Sequence, residues 1–318
     1  PWLKDIHTLH RLSLEDTMGE LKKSLSACVE AGYALLHVDP TVDRSLPPGT
    51  TLCIEKVVER TVDLISHAEK ERKRLGAPPI AYEVGTEEVA GGLVDLQNFR
   101  NFLHGLRAGL DAAELGDVWP CFIVGKVGTD IDTSFFDPES AKQLYDIVRP
   151  LGSLVKGHYS DWVSNPEEYP AAGMGGANFG PQLTSVEYLA LKELCSRERD
   201  LCKARPGLQA SSFLMVLEQA VIDSGRWKKW LHAWEKDKAL DSLEPSRKDF
   251  LIESSTRYVW TVPSVVEARA KLYENLSLVM ADPNGYVVQR IADALERYVT
   301  AMHLFDSLTC LQMGKATD

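Results

Sequence analysis

The chain has 318 residues, with 35 Lys and Arg against 46 Asp and Glu for a formal charge of −11, and a sequence pI near 5.3. That balance argues against nucleic acid, because phosphate binding needs clustered Lys and Arg in excess. Hydrophobic residues at 44% and charged residues at 25% suit a globular core, and no apolar run reaches the roughly 20 residues of a membrane helix.

Ser13 and Asp16 open a first helix, whose apolar face is Met18, Leu21, Leu25, Cys28 and Val29. After Gly32, residues 33–38 read as a short apolar strand. A Pro/Gly-rich loop through Pro47, Pro48 and Gly49 leads to a second helix with Ile54, Val57, Val58, Thr61, Ile65 and Ala68 on one side. Its last turn carries Lys70, Arg72, Lys73 and Arg74 before Gly76, which reads as a solvated helix end rather than a binding patch. The unit then repeats. Residues 80–84 form a strand, followed by a helix with Leu96, Phe99, Phe102, Leu103, Leu106 and Leu110. Residues 121–124 form the next strand, and Pro138 starts a helix that runs to Val148. Further strands begin at Leu154 and Gly175, and a helix spans Thr184 to about Arg199. Strand–helix alternation without hairpin signals means a parallel sheet, either a barrel or an open doubly wound one.

Beyond about residue 200 the pattern is helical only. Phe213, Val216, Leu217 and Val221 make one amphipathic face. Trp227, Trp230, Leu231 and Trp234 make another at helical spacing, read as core or interface. Two more helices run from Ser264 to Leu278 and from Tyr286 to about Phe305. We therefore expect a barrel portion over 1–200 and a helical extension over 201–318 packed on it. Six cysteines without a CxxC pair are read as buried reduced thiols, and Pro1-Trp2-Leu3-Lys4 opens no signal peptide, so a cytoplasmic protein is expected.

Polar residues recur where strands end. The exits carry His37 and Asp39, then Glu83 and Glu87, then Lys126, then His158 and Asp161, then Asn178. Such a series at the carboxyl ends of parallel strands is what a barrel active site looks like in one dimension. No GxGxxG and no GxxxxGK[ST] occurs, so neither dinucleotide nor nucleotide phosphate binding is supported. Glu83 is the strongest single signal, because an acid inside an apolar strand must be paired or bound to something. The mixed imidazole and carboxylate set suits a divalent metal. Glu83 and His158 are read as its ligands, and Asp39, Glu87 and Asp161 as catalytic acid–base groups. His37, Lys126 and Asn178 are read as substrate-binding. Lys126 is the competing partner of Glu83 in a purely structural ion pair.

Taken in order, Leu36-His37-Val38-Asp39, Val58-Glu59-Arg60, Tyr82-Glu83-Val84-Gly85-Thr86-Glu87, Gly91-Gly92, His158-Tyr159-Ser160-Asp161-Trp162, Gly180-Pro181-Gln182-Leu183-Thr184, Trp227-Lys228-Lys229 and Ser255-Thr256-Arg257-Tyr258-Val259-Trp260 resemble the GatZ/KbaZ family of tagatose-bisphosphate aldolase subunits. The resemblance covers nearly the whole chain and implies a TIM (β/α)8 barrel like that of class II, metal-dependent aldolases. Family members carry three earlier strands ending in an Asp-His pair, and Pro1-Trp2 looks like the stretch just after it. The chain is therefore expected to supply about the last five strands. Glu83 departs from the aldolase subunits, which carry an apolar residue there, and matches the Glu ligand of catalytic class II aldolases. Relatives include ketohexose-phosphate 4-epimerases, and uronate epimerases have a comparable Asp, Glu and His-x-x-Asp layout. The resemblance thus implies Zn2+- or Mn2+-dependent tagatose 6-phosphate 4-epimerisation or aldolase-like chemistry, without a nucleotide. Its alternative is a non-catalytic stabilising subunit of tagatose-1,6-bisphosphate aldolase, and the expected protein partner is a class II aldolase catalytic subunit or a second copy of the chain.

Overall fold

The computed structural model describes residues 12–41, 43, 46, 52–85, 95–130, 134–307 and 309. The chain separates into two compact units, Pro1–Asn178 and Phe179–Asp318. The sequence reading drew the boundary near residue 200, after the long helix that the structure gives to the second unit.

In the first unit, α1 (Leu14–Glu30) is capped by Ser13, whose hydroxyl accepts from the Asp16 amide. Strand β1 (Leu35–Val38) follows. Helix α2 (Ile54–Leu75) ends at Gly76, which holds a left-handed φ of 63° that a glycine adopts without strain. Its basic last turn is tied to its own helix, with Arg72 on Glu69 and Arg74 on Glu71. Then come β2 (Ala81–Gly85), α3 (Leu96–Ala112), β3 (Phe122–Gly125), α4 (Pro138–Val148), β4 (Leu154–Gly157), the short α5 (Glu168–Ala171) and β5 (Met174–Ala177). Asp95 and Asp137 cap α3 and α4 through their carboxylates, as their positions before each apolar run require.

All five strands are parallel, in the order β1-β2-β3-β4-β5. This bears out the expected alternation. Within these five strands the order does not reverse, so they contain no switch point of the doubly wound kind. Closure into a barrel is not observed in the five strands. One face of the sheet is apolar and sealed: Leu36, Val38, Tyr82, Val84, Ile123 and Val155 are buried. There Tyr82 donates to the buried Glu69 of α2, and Gly125 lies against Leu144 of α4. The other face holds Leu35, His37, Glu83, Phe122, Leu154 and Lys156, and is only partly covered.

The second unit is helical: α6 (Pro181–Ala204), α7 (Phe213–Ser224), α8 (Pro245–Ser255), α9 (Pro263–Leu276) and α10 (Pro283–Ala301). Proline at the first position opens α6, α8, α9 and α10, where its missing N–H costs nothing. The core joins Leu191, Leu194, Phe213, Leu217, Val221, Leu251, Val265 and Leu272. The tryptophans do not lie on one α-helix, however. They occupy two 3-10 turns, Arg226–Trp230 and Ala233–Glu235, fixed by Arg247 bonds to Glu235 and to the Trp230 carbonyl. Trp227 is buried, but Trp234 is 72% exposed and stacks on His232, which corrects its reading as core. The five described cysteines are free; only Cys195 is buried, and Cys53 is exposed. No described helix is long and apolar enough to cross a membrane.

Candidate functional site

The strand register builds the site. His37 and Glu83 are direct partners across β1 and β2, so both side chains leave the sheet on its open face. On β4 the alternation places Lys156 on that face, and His158 follows one residue past the strand end. Glu83 is 1% exposed. Its Oε1 lies 3.2 Å from His37 Nδ1 and 3.4 Å from His158 Nε2, while its Oε2 accepts from Lys156 Nζ at 2.6 Å. The two imidazole rings are 5.3 Å apart between centroids.

The electrostatics follow from this packing. Burial by itself would raise the Glu83 carboxyl, but the His158 hydrogen bond, the neighbouring His37 and the Lys156 ammonium outweigh it and hold Glu83 at about 2. His37 moves down from its usual value, because desolvation outweighs the pull of Glu83 and Asp39. A neutral imidazole is the form that ligates a metal.

His37, Glu83 and His158 each offer a donor atom, and the three lie within 4.8 Å of one another. Ligand atoms about 2.1 Å from one tetrahedral ion are about 3.4 Å apart, so the donor spacing and the N/O donor set fit a divalent cation. His37, read from the sequence as substrate-binding, lies among these three candidate donors.

The remaining predicted positions fall as follows. Asp39, directly after β1, turns back to accept from the Thr41 amide and hydroxyl at 3.2 and 2.6 Å. Its Oδ2 lies 3.3 Å from where a Cβ on Gly85 would stand, so its carboxylate reaches the end of β2. Asp161 is buried in the loop after β4, between Tyr159 and Trp162, which hold φ angles of 54° and 52°. Left-handed conformations in bulky residues are uncommon and are concentrated at functional sites. Thr129 braces the same loop by donating to the His158 carbonyl at 2.8 Å. Asn178 is exposed, and its backbone, bonded to Gly157 and Ser160, joins β5 to the β4 exit. Glu87 lies outside the described residues. Lys126 is half-buried just past β3, but the lysine on Glu83 is Lys156, which corrects the competing ion pair. Lys156 is the residue that the sequence reading missed, although counting by twos along β4 and aligning it with β2 puts it on the Glu83 face.

Among solved structures, the chain is similar to the one-glycerol and two-glycerol complexes of the fructuronate-tagaturonate epimerase UxaE from Cohnella laeviribosi. Both have a TM-score of 0.52, at 9% and 8% identity, over 89% and 88% of this chain. In each case the chain spans 66% of the UxaE chain, and identity at this level shows a shared fold. No curated protein matches the sequence. The family model described as D-tagatose-1,6-bisphosphate aldolase subunit GatZ/KbaZ-like matches residues 7–304, and the chain belongs to that family.

Proposed function

We propose that the chain acts in sugar metabolism as a divalent-metal-dependent enzyme on a ketohexose phosphate of the tagatose type, by 4-epimerisation or aldolase-like chemistry. The observation that carries this reading is the His37–Glu83–His158 cluster on the open face of a parallel sheet, at its carboxyl end. Zn2+ or Mn2+ suits two imidazoles and a carboxylate. An ion there supplies Lewis acidity, polarising a carbonyl and stabilising the negative charge that develops beside it. Around it, the acid–base candidates are Asp39 and Asp161, which follow β1 and β4, and Glu87. Lys126 and Asn178 are candidate substrate contacts at the exits of β3 and β5. The epimerase named for the structural neighbours supports the epimerisation arm.

A second reading takes support from the family description, which names an aldolase subunit. In it the chain is a non-catalytic partner that stabilises a class II aldolase. Metal analysis of the purified chain alone, with a tagatose 6-phosphate epimerisation and cleavage assay, separates the two. The enzyme reading expects near-stoichiometric metal and turnover, both lost in Glu83→Gln. The partner reading expects neither without the second subunit.

A further inference from the structure

Glu83 divides its two oxygens between different kinds of group. Oε1 faces His37 and His158, the two other members of the donor cluster, while Oε2 is taken by Lys156. The lysine is built into this position. Its side chain is 19% exposed, and its register partners are Val124 on β3 and Gly176 on β5. A Cβ on Gly176 would stand 3.2 Å from Lys156 Cγ, so the glycine leaves room for the lysine stem.

Resting on the metal reading above, we propose that Lys156 is a positioning residue, the internal counter-ion of Glu83. It keeps the buried carboxylate paired and turned so that only Oε1 serves the cation. It also makes the loaded site one positive charge richer than two imidazoles and a carboxylate alone. Two neutral imidazoles, a carboxylate and an ammonium sum to zero, so a divalent ion brings the site to +2 where the three ligands by themselves would give +1. That extra charge acts at short range in a partly buried setting, where it is weakly screened. It works against the cation and in favour of a negatively charged oxygen. The substrate class it selects is an α-hydroxy carbonyl compound that binds through an ionised oxygen rather than as a neutral diol.

The test uses Lys156→Gln, which keeps a donor for Oε2 and removes the charge, alongside Lys156→Arg, which keeps both. Calorimetric titration with Mn2+ at pH 8 is followed by acetohydroxamate, an oxyanion chelator, and by glycerol, a neutral polyol, on the Mn2+-loaded proteins. Lys156→Gln should bind Mn2+ about tenfold tighter or more and acetohydroxamate about tenfold weaker or more, with glycerol unchanged and both shifts absent in Lys156→Arg. Should Lys156→Gln not fold, Gly176→Val crowds the lysine stem away from Glu83 without substituting either partner, and should shift both affinities in the same directions by less. A merely structural lysine would weaken both ligands together, and that result overturns the proposal, as does an unchanged acetohydroxamate affinity. Wild-type protein that binds no Mn2+ overturns the metal reading and this inference together. Wild-type binding with no opposite shifts in the variants overturns this inference alone.

Discussion

Replacing Glu83 with Gln perturbs the first unit in a way whose size can be worked out beforehand. The native carboxyl sits at about 2 against an ordinary 4.5. At 1.36 kcal/mol per pH unit this is about 3 kcal/mol of stabilisation at neutral pH. Because the folded value is depressed, the contribution is fully present above 4.5 and is lost as pH falls toward 2. A second route agrees: removing one partner of a buried, hydrogen-bonded ion pair costs about 3–5 kcal/mol, and Lys156, still 19% exposed, puts this pair at the low end. The assay is urea denaturation of the metal-free protein, followed by circular dichroism at intervals from pH 7 to pH 3. Glu83→Gln should be less stable than the wild type by about 3 kcal/mol at pH 7, with the gap narrowing steadily below about pH 4.5. A gap that stays constant across that range, or one under about 1 kcal/mol at pH 7, would show that Glu83 is not held ionised by Lys156 and the imidazoles.

Other sites give simpler expectations. A Cβ on Gly125 would stand 2.6 Å from Leu144 Cδ1; Gly125→Ala should cost about 1–3 kcal/mol by overpacking, partly recovered in a Gly125→Ala, Leu144→Val double variant, as thermal unfolding would report. In the second unit, the buried Glu198 accepts from the Ser211 amide and hydroxyl and from Asn275 Nδ2 at 2.6 Å. Asn275→Leu should cost about 1–3 kcal/mol in urea denaturation by leaving that carboxylate short of a donor. Trp234→Ala should change stability by less than about 0.5 kcal/mol, since the indole is 72% exposed; a larger loss in the same measurement would mean that it is covered in solution.

The parts of the fold that could be read from the sequence are those set by local chemistry. Ser13, Pro138 and Gly76 mark ends through hydrogen-bonding capacity or backbone freedom alone, and the structure places them as expected. Glu83 was legible for the same reason, since a lone acid among apolar neighbours announces a partner. Which partner it takes depends on register. His37 pairs with Glu83 because β1 and β2 align at that residue, and Lys156 reaches Glu83 from two strands away, past the apolar Phe122 and Val124. Lys126 was nearer in the strand order, but it follows β3 rather than lying within it. The tryptophan run misled because three aromatic residues at spacings of three and four fit an α-helix. In the structure Leu231 is extended between two 3-10 turns, which sends Trp234 outward while Trp227 stays inside.

The topology accounts for why a site arises on this face. In a parallel sheet covered on both sides, strands run continuously apolar. Here β1 and β4 alternate instead, with Leu36, Val38 and Val155 sealed and His37 and Lys156 turned the other way. An unreversed strand order with right-handed crossovers sends the connecting helices to one side, so the sealed face must be apolar and the opposite face is free to carry ionisable groups. Of the ionisable groups gathered there, Glu83 is fully buried where His37, His158 and Lys156 are not. A buried carboxylate with its positive and imidazole partners nearer to solvent is a pre-organised arrangement: the negative charge is fixed first, and whatever enters from the open side meets two imidazoles already aimed at the same oxygen. Preorganised groups need no reorganisation when charge develops nearby. The neutral, apolar β3 positions between Glu83 and Lys156 add to this by keeping water from screening the pair.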